Sequence, residues 1–169
     1  DKDNILLATR LGKAIRFDVH DVRVFVGRGS SGVRGIRLKP NDFVVSMSLI
    51  PNSENRFILS VTENGFGKRT PIEDYRMTNR GGQGVANIEC SARNGPVVAS
   101  YVASEDDQIM LVTNSGKLIR IRVHGGEGDS IRVAGRKTQG VRLFDVDEGE
   151  KVVSVALLSE SEDEQDEEI

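Results

Sequence analysis

Three arginines each stand seven residues beyond a threonine: Arg16 after Thr9, Arg69 after Thr62 and Arg120 after Thr113. Three more, Arg28, Arg80 and Arg136, stand four residues before the glycine of a Gly-Val pair, in GRGSSGV, NRGGQGV and GRKTQGV. A guanidinium is a planar fork of donors that matches carboxylate and phosphate oxygens. Glycine accepts backbone angles closed to other residues and lets a second backbone or a ligand come close. Two chemistries fit this pairing. In the first, exposed N–H groups and the arginine receive an anion, as phosphate-binding nests do. In the second, the glycine marks a sharp turn into a strand and the arginine pairs with a neighbouring carboxylate. Repetition favours the first. Like cations at regular intervals along a curved rim suit a long polyanion held through its phosphates without base readout.

Further cations flank these positions: Lys13, Arg34, Lys68, Lys117, Arg122, Lys137 and Arg142. Aromatic residues make up only 5% of the chain and are not interleaved with the basic ones, which argues against a stacking platform for single strands. The formal net charge of -3 conceals a segregation. Seven of the 26 acidic residues fall in SESEDEQDEEI, from Ser159 onward, leaving 19 acids against 23 basic residues. The body therefore carries about +4 and the end about -7. A basic body suits a polyanion partner; the acidic end reads either as a solubilising segment or as a competitor for the same rim.

Other chemistries find little support. Two histidines, His20 and His124, leave little room for a Ser-His-Asp set, and HGGEGD at 124–129 reads as a surface loop, not a metal site. No GxxxxGK[ST] loop is present to hold ATP. The single cysteine, Cys90, can form neither an internal disulfide nor a CxxC pair; it reads as a small buried hydrophobe of a chain suited to a reducing cytoplasm. DKDNILLATR lacks the layout of a signal peptide, and no apolar run approaches the roughly 20 residues that cross a bilayer. No catalytic residue, metal ligand or cofactor is expected within the chain.

The elements that position these cations repeat. Apolar strands open at 5–17 (ILLATRLGKAIRF), 58–70 (ILSVTENGFGKRT) and 109–121 (IMLVTNSGKLIRI), with Gly12, Gly65 and Gly116 in the hairpin turns. Each repeat closes on a second apolar run, FVVSMSLI at 43–50, PVVASYVA at 96–103 and KVVSVALL at 151–158. The period is about 50–56 residues, in the range of propeller blades. In KLIRIRV, Ile119, Ile121 and Val123 share one face and Arg120 and Arg122 the other, so the arginines are expected to point outward. Pro71 suggests an edge or an early exit from the sheet. The fold class expected is all-β, with roughly three blades of about four antiparallel strands, at about 5–57, 58–106 and 107–158, followed by an acidic disordered tail at 159–169.

SSGVRGIRL at 30–38, TENGFGKRTPIEDY at 62–75, DQIMLVTNSGKLIR at 107–120, GRKTQGV at 135–141 and the acidic end together resemble the C-terminal domain of the DNA gyrase A subunit, and by extension that of topoisomerase IV. The resemblance covers nearly the whole chain. It implies a β-pinwheel whose hairpins are exchanged between blades, with double-stranded DNA wrapped around a basic outer edge in support of ATP-dependent negative supercoiling. It implies as partners the gyrase B subunit, with the rest of the A subunit, in an A2B2 heterotetramer. ATP and Mg2+ would be bound elsewhere, in the cytoplasm at the nucleoid and away from membranes. The family's cleaving tyrosine lies outside this region, so Tyr75 and Tyr101 are expected to be structural.

Two departures stand out. The family's Q-R-R-G-G-x-G heptapeptide is met only by TNRGGQG at 78–84, in the middle repeat, which reads as the corresponding loop of a later blade. About three blades are found where the family has five or six, so the chain resembles the C-terminal half of the domain. Decatenation by a topoisomerase IV counterpart, or a protein-interaction propeller with structural arginines, are the alternative readings.

Overall fold

The computed structural model describes residues 3–52, 55–126 and 130–159. The strands are, in chain order, Asn4–Thr9 (β1), Lys13–Asp18 (β2), Val44–Ile50 (β3), Phe57–Thr62 (β4), Phe66–Pro71 (β5), Val85–Ala86 (β6), Val97–Ala103 (β7), Gln108–Thr113 (β8), Leu118–Arg122 (β9), Val141–Arg142 (β10) and Val152–Leu158 (β11). Among the described residues there is no α-helix, only two 3-10 turns at Val19–Asp21 and Ile72–Asp74. The expected all-β class is what the chain adopts. The acidic stretch, apart from Ser159, lies outside the described residues.

Three sheets form, in the strand orders β3-β1-β2-β6, β7-β4-β5-β10 and β11-β8-β9, with every pairing antiparallel. The first two sheets are completed by a strand from the following repeat. β6, from the second repeat, pairs with β2 of the first; β10, from the third, pairs with β5 of the second. The third sheet has no fourth strand among the described residues.

The repeated threonine and glycine explain the hairpins. Thr9, Thr62 and Thr113 are buried, and their carbonyls accept the N–H groups of Gly12, Gly65 and Gly116 at 3.0–3.2 Å. Those glycines carry φ of +89°, +79° and +86°, which side-chain-bearing residues rarely adopt. Each threonine also marks a register shift against its closing strand, a local kink repeated in all three sheets. Pro71 ends β5 and hands the chain to the second 3-10 turn.

Successive sheets bury their faces on one another. Leu6, Ala14, Ile50, Ile58, Ile72 and Tyr75 form one apolar layer, and Leu59, Val61, Ala99, Ile109, Leu111, Val123, Val152 and Val155 form the core of another. β7 packs between β3 and β11, so the three closing strands lie side by side. A buried polar seam crosses the first layer. The Tyr75 hydroxyl donates to Asn87 Oδ1 at 2.6 Å, Asn87 Nδ2 donates to Ser100 Oγ at 2.9 Å, and Ser60 and Ser100 share a bond of 2.8 Å. Glu63 joins the repeats electrostatically, accepting from Arg10 at 3.0 Å and from Lys151 at 3.2 Å. Cys90 departs from expectation: it lies in the loop after β6, half-buried, and burial pushes its thiol pKa up.

Candidate nucleic-acid interface

Four of the six repeated arginines serve the exchange between repeats. Arg16, on β2, donates to Asn4 Oδ1 at 2.9 Å and to the carbonyls of Ile72 and Tyr75 in the next repeat at 3.2 and 3.1 Å. Burial works against its charge and Glu73 partly restores it. Arg69, on β5, is 5% exposed; its Nε donates to Ile131 O at 2.8 Å, Nη1 reaches Glu105, and the guanidinium lies 4.8 Å from the centre of the Phe57 ring. Arg80 reaches backwards, to the carbonyls of Asp21 and Arg34. Arg136 does the same, donating to Ala86 O at 2.9 Å.

The alternation that sets Arg16 and Arg69 opposite the apolar face is present. That second face is covered, however, because it packs on the following repeat: Leu6, opposite Arg16, and Leu59, opposite Arg69, belong to the two inter-sheet cores, while the incoming segment also pairs along the strand edge. Met77 bridges to Arg16 and Val133 to Arg69, both in parallel. The expectation that these two side chains point outward therefore fails for a tertiary reason. On β9, over which no described segment runs, Arg120 and Arg122 are exposed.

Lys68 also lies inside. It is fully buried, and its Nζ donates to the carbonyls of Gly135 and Arg136 and to Thr138 Oγ1. Burial, followed by repulsion from Arg136, pushes its pKa down to about 8. Lys13 is half-buried, with its backbone paired to Ala86. Lys117 is exposed but held by Asp147 at 2.8 Å and Glu150 at 3.0 Å, and those bonds raise its pKa.

The glycines meet a backbone at the exchange. Gly84 and Gly140 have φ of +74° and +77°, and a Cβ on either would strike a carbonyl of the preceding sheet, that of Ala14 and that of Gly67. The group approached closely is an acceptor, so at these two positions the pattern is a docking turn and not an anion nest.

What remains on the outside is Arg28, Arg34, Lys137 and Arg142 among the expected positions, together with Arg120 and Arg122. Lys137 and Arg142 belong to the segment that supplies the outermost strand of the second sheet. Arg142 pairs with Asp145 at 2.8 Å, and Arg93 and Arg142 both lie over the Phe66 ring, 5.0 and 5.5 Å from its centre. Arg37, Arg93 and Arg132 are exposed cations that the sequence reading did not single out. Arg37 and Arg132 flank the glycine-rich stretches and were open to notice there; nothing in the repeat marks Arg93. Among the described residues no group of His, Cys, Asp and Glu is placed to hold a metal, and no helix is long and apolar enough to cross a membrane.

A family described as the DNA gyrase C-terminal domain, a beta-propeller, matches residues 3–51, 56–95 and 107–159. The chain belongs to that family. It is 39% identical over 213 residues to the DNA gyrase A subunit of Rickettsia bellii, covering 99% of this chain and 23% of that relative. It is 43% identical over 163 residues to the gyrase A subunit of Chlamydia pneumoniae, covering 96% and 19%. The chain thus spans less than a quarter of the length of these relatives. Among solved structures it is similar to the C-terminal domain of DNA topoisomerase IV, with a TM-score of 0.83, 30% identity, and coverage of 94% of this chain and 47% of that one. It is similar also to the DNA gyrase A C-terminal domain, with a TM-score of 0.80, 30% identity, and coverage of 94% and 51%.

Proposed function

We propose that this chain binds double-stranded DNA through phosphates along the outer edge of its arc of blades, as part of a DNA gyrase A subunit. Membership of the gyrase C-terminal domain family carries the reading. It is supported by exposed cations, Arg34, Arg37 and Arg132, and Lys137 and Arg142 on the segment that supplies the edge strand of the second sheet. Contacts of this kind hold the sugar-phosphate backbone and read no bases. The wrap would present a DNA crossing to the cleaving part of the enzyme in support of ATP-driven negative supercoiling. The gyrase B subunit, ATP and Mg2+ act elsewhere in the assembly. A cytoplasmic place at the nucleoid follows from that role. Fold likeness to the topoisomerase IV domain leaves decatenation as the second reading; the gyrase name of the sequence relatives favours the first.

Filter binding of linear duplexes of unrelated sequence at several salt concentrations tests the proposal. The Lys137→Glu, Arg142→Glu double variant is expected to weaken binding to every sequence alike and to lower the salt slope by about 2, roughly 1 per lost phosphate contact. Arg69→Met is expected to leave the slope unchanged. An unaltered slope in the double variant would remove these residues from the interface.

A further inference from the structure

Lys68 occupies a place that the other two repeats give to an apolar residue. Six residues beyond the repeated threonine stand Ile15, Lys68 and Ile119. At the first junction the loop from the following repeat closes over Ile15, which is buried, and a Cβ on Gly82 would lie 3.7 Å from its Cδ1. At the second junction the matching loop closes around an ammonium. The third repeat is anchored to β5 by bonds from Arg69 N–H to Arg132 O and from Ala134 N–H to Arg69 O, both 3.0 Å, and again where Val141 faces Gly67. Residues 135–140 bulge between these anchors, and Lys68 is bonded inside the bulge. Its three hydrogens go to neutral oxygens, Gly135 O at 2.5 Å, Arg136 O at 2.9 Å and Thr138 Oγ1 at 3.2 Å. Of the nearby ions, Arg136 repels it more than Asp74 attracts it, and a pKa of about 8 still leaves it charged at neutral pH. A buried cation with so little compensation costs free energy that an isoleucine would not. Beneath an exposed basic turn, such a charge is the half of a site that an anion completes.

The backbone of the turn agrees. Its peptide bonds are trans, so the N–H of Arg136 faces away from the Gly135 carbonyl, and that of Lys137 away from the Arg136 carbonyl. Both carbonyls are held by Lys68, so both N–H groups point away from it, and among the described residues neither has an acceptor. At the first junction the matching N–H, that of Gly81, is already spent on Gly35 O at 2.5 Å. The Lys137 side chain is exposed beside these groups. An open depression of about 380 Å³ adjoins the turn, with Arg132, Gly135 and Thr138 among its lining residues.

We propose that the Gly135–Thr138 turn holds one phosphate of the DNA backbone, with Lys68 as its positioning residue. The N–H groups of Arg136 and Lys137 and the Lys137 ammonium meet the phosphate oxygens, as oriented backbone donors do in anion-binding nests. Lys68, out of reach of the duplex, turns the two peptide planes and adds positive charge beneath them. The site rests on the DNA-binding reading above, and part of its charge comes from inside the protein.

Two apolar variants and one measurement on the unaltered chain test the site. Lys68→Met keeps an unbranched side chain, and Lys68→Ile copies the first junction. Filter binding of a duplex at several salt concentrations should show the salt slope lowered by about 1 in Lys137→Ala. Each Lys68 variant that keeps the parent's circular dichroism spectrum should also lower it by about 1, although residue 68 is fully buried and cannot touch DNA. Combined with Lys137→Ala, the loss should be smaller than the sum, since both act on one phosphate. In nuclear magnetic resonance spectra of the parent, a short duplex of mixed sequence should move the amide signals of Arg136 and Lys137 more than that of Gly81. These signals decide the matter if neither Lys68 variant folds. The parent's slope in a folded Lys68 variant, or unmoved Arg136 and Lys137 amides while the duplex binds, would overturn the phosphate site and leave the DNA reading standing. A parent that binds no duplex at low salt would overturn both.

Discussion

Arg69 and Ile131 lie 62 residues apart in the chain and meet through a 2.8 Å bond from Nε to the main-chain carbonyl. The bond fastens the crossover of the third repeat to a strand of the second, inside the protein. An arginine in that place acts on stability. Arg69→Met keeps much of the apolar stem but leaves the Ile131 carbonyl without its donor and removes the cation from the Phe57 ring. A charged hydrogen bond of this kind contributes about 1.5–3 kcal/mol and a desolvated cation–π contact adds about 1–2. The Glu105 pair, half-exposed on the acid's side, adds little. Urea denaturation should show a loss of about 3 kcal/mol with the m-value unchanged. A loss below about 1 kcal/mol would mean that the crossover is held by other bonds.

The glycine-rich loop offers an internal comparison. Gly140 has a φ of +77°, and a Cβ there would stand 2.6 Å from the Gly67 carbonyl oxygen. Gly135, five residues earlier, has nothing within 4 Å and no left-handed φ. Gly140→Ala combines backbone strain of about 1–2 kcal/mol with a clash against main chain that cannot swing aside, so a total near 3 kcal/mol is expected. Gly135→Ala should fall within about 0.5 kcal/mol of the parent or slightly above it, since it restricts the unfolded chain. Thermal unfolding of dilute samples distinguishes the two; equal losses would contradict the docking turn.

The hairpins and closing strands were legible because their determinants are local. The buried threonine, the left-handed glycine in the turn just beyond it and the alternation of apolar residues all lie within one short stretch. The exchange was not legible from these patterns. β6 and β10 are two residues long, too short for any periodicity, and pair with strands of the preceding repeat. Arg16 and Arg69 follow the alternation expected of them, yet whether the face they occupy meets solvent depends on a segment more than fifty residues away. Lys68 beside Arg69 looks like half of a basic pair; its partners, Gly135, Arg136 and Thr138, belong to the next repeat. The glycines were legible as sites of close approach, but not as to what approaches them.

Tyr75 and Asn87 form a coupled pair. Tyr75 is 1% exposed, and the 2.6 Å bond from its hydroxyl to Asn87 Oδ1 anchors a chain of bonds through Ser100 to Ser60. Tyr75→Phe deprives Asn87 of its best donor and should cost about 1–2 kcal/mol. Asn87→Ala strands the buried Tyr75 hydroxyl and takes from Ser100 its amide donor, and should cost more. Because both single changes break the same bond, the double variant is expected to lose about 1 kcal/mol less than the sum. Strict additivity in a double-mutant cycle would show that the seam does not act as a unit.

Lys68 gives the stability curve a slope that can be assigned to one residue. Its ammonium is fully buried, and burial with the nearby Arg136 pushes the pKa down to about 8, Asp74 and Cys90 acting in the opposite direction. In the unfolded chain the amine keeps its proton to about 10.5. Between these values the unfolded state binds more protons than the folded one, so stability rises with pH across the window and this contribution is flat below it. The neutral amine still has two hydrogens to give to the 135–138 loop, so deprotonation removes a buried charge without emptying the site. Lys68→Met removes the titrating group while keeping an unbranched chain in its place. Other groups titrate in both proteins, so the quantity to follow is the difference in unfolding free energy between parent and variant, by urea denaturation from about pH 7 to about 10.5. That difference should shift in the parent's favour as pH climbs from about 8 toward 10.5; a difference independent of pH would show that the amine is solvated and that the loop is not built around it.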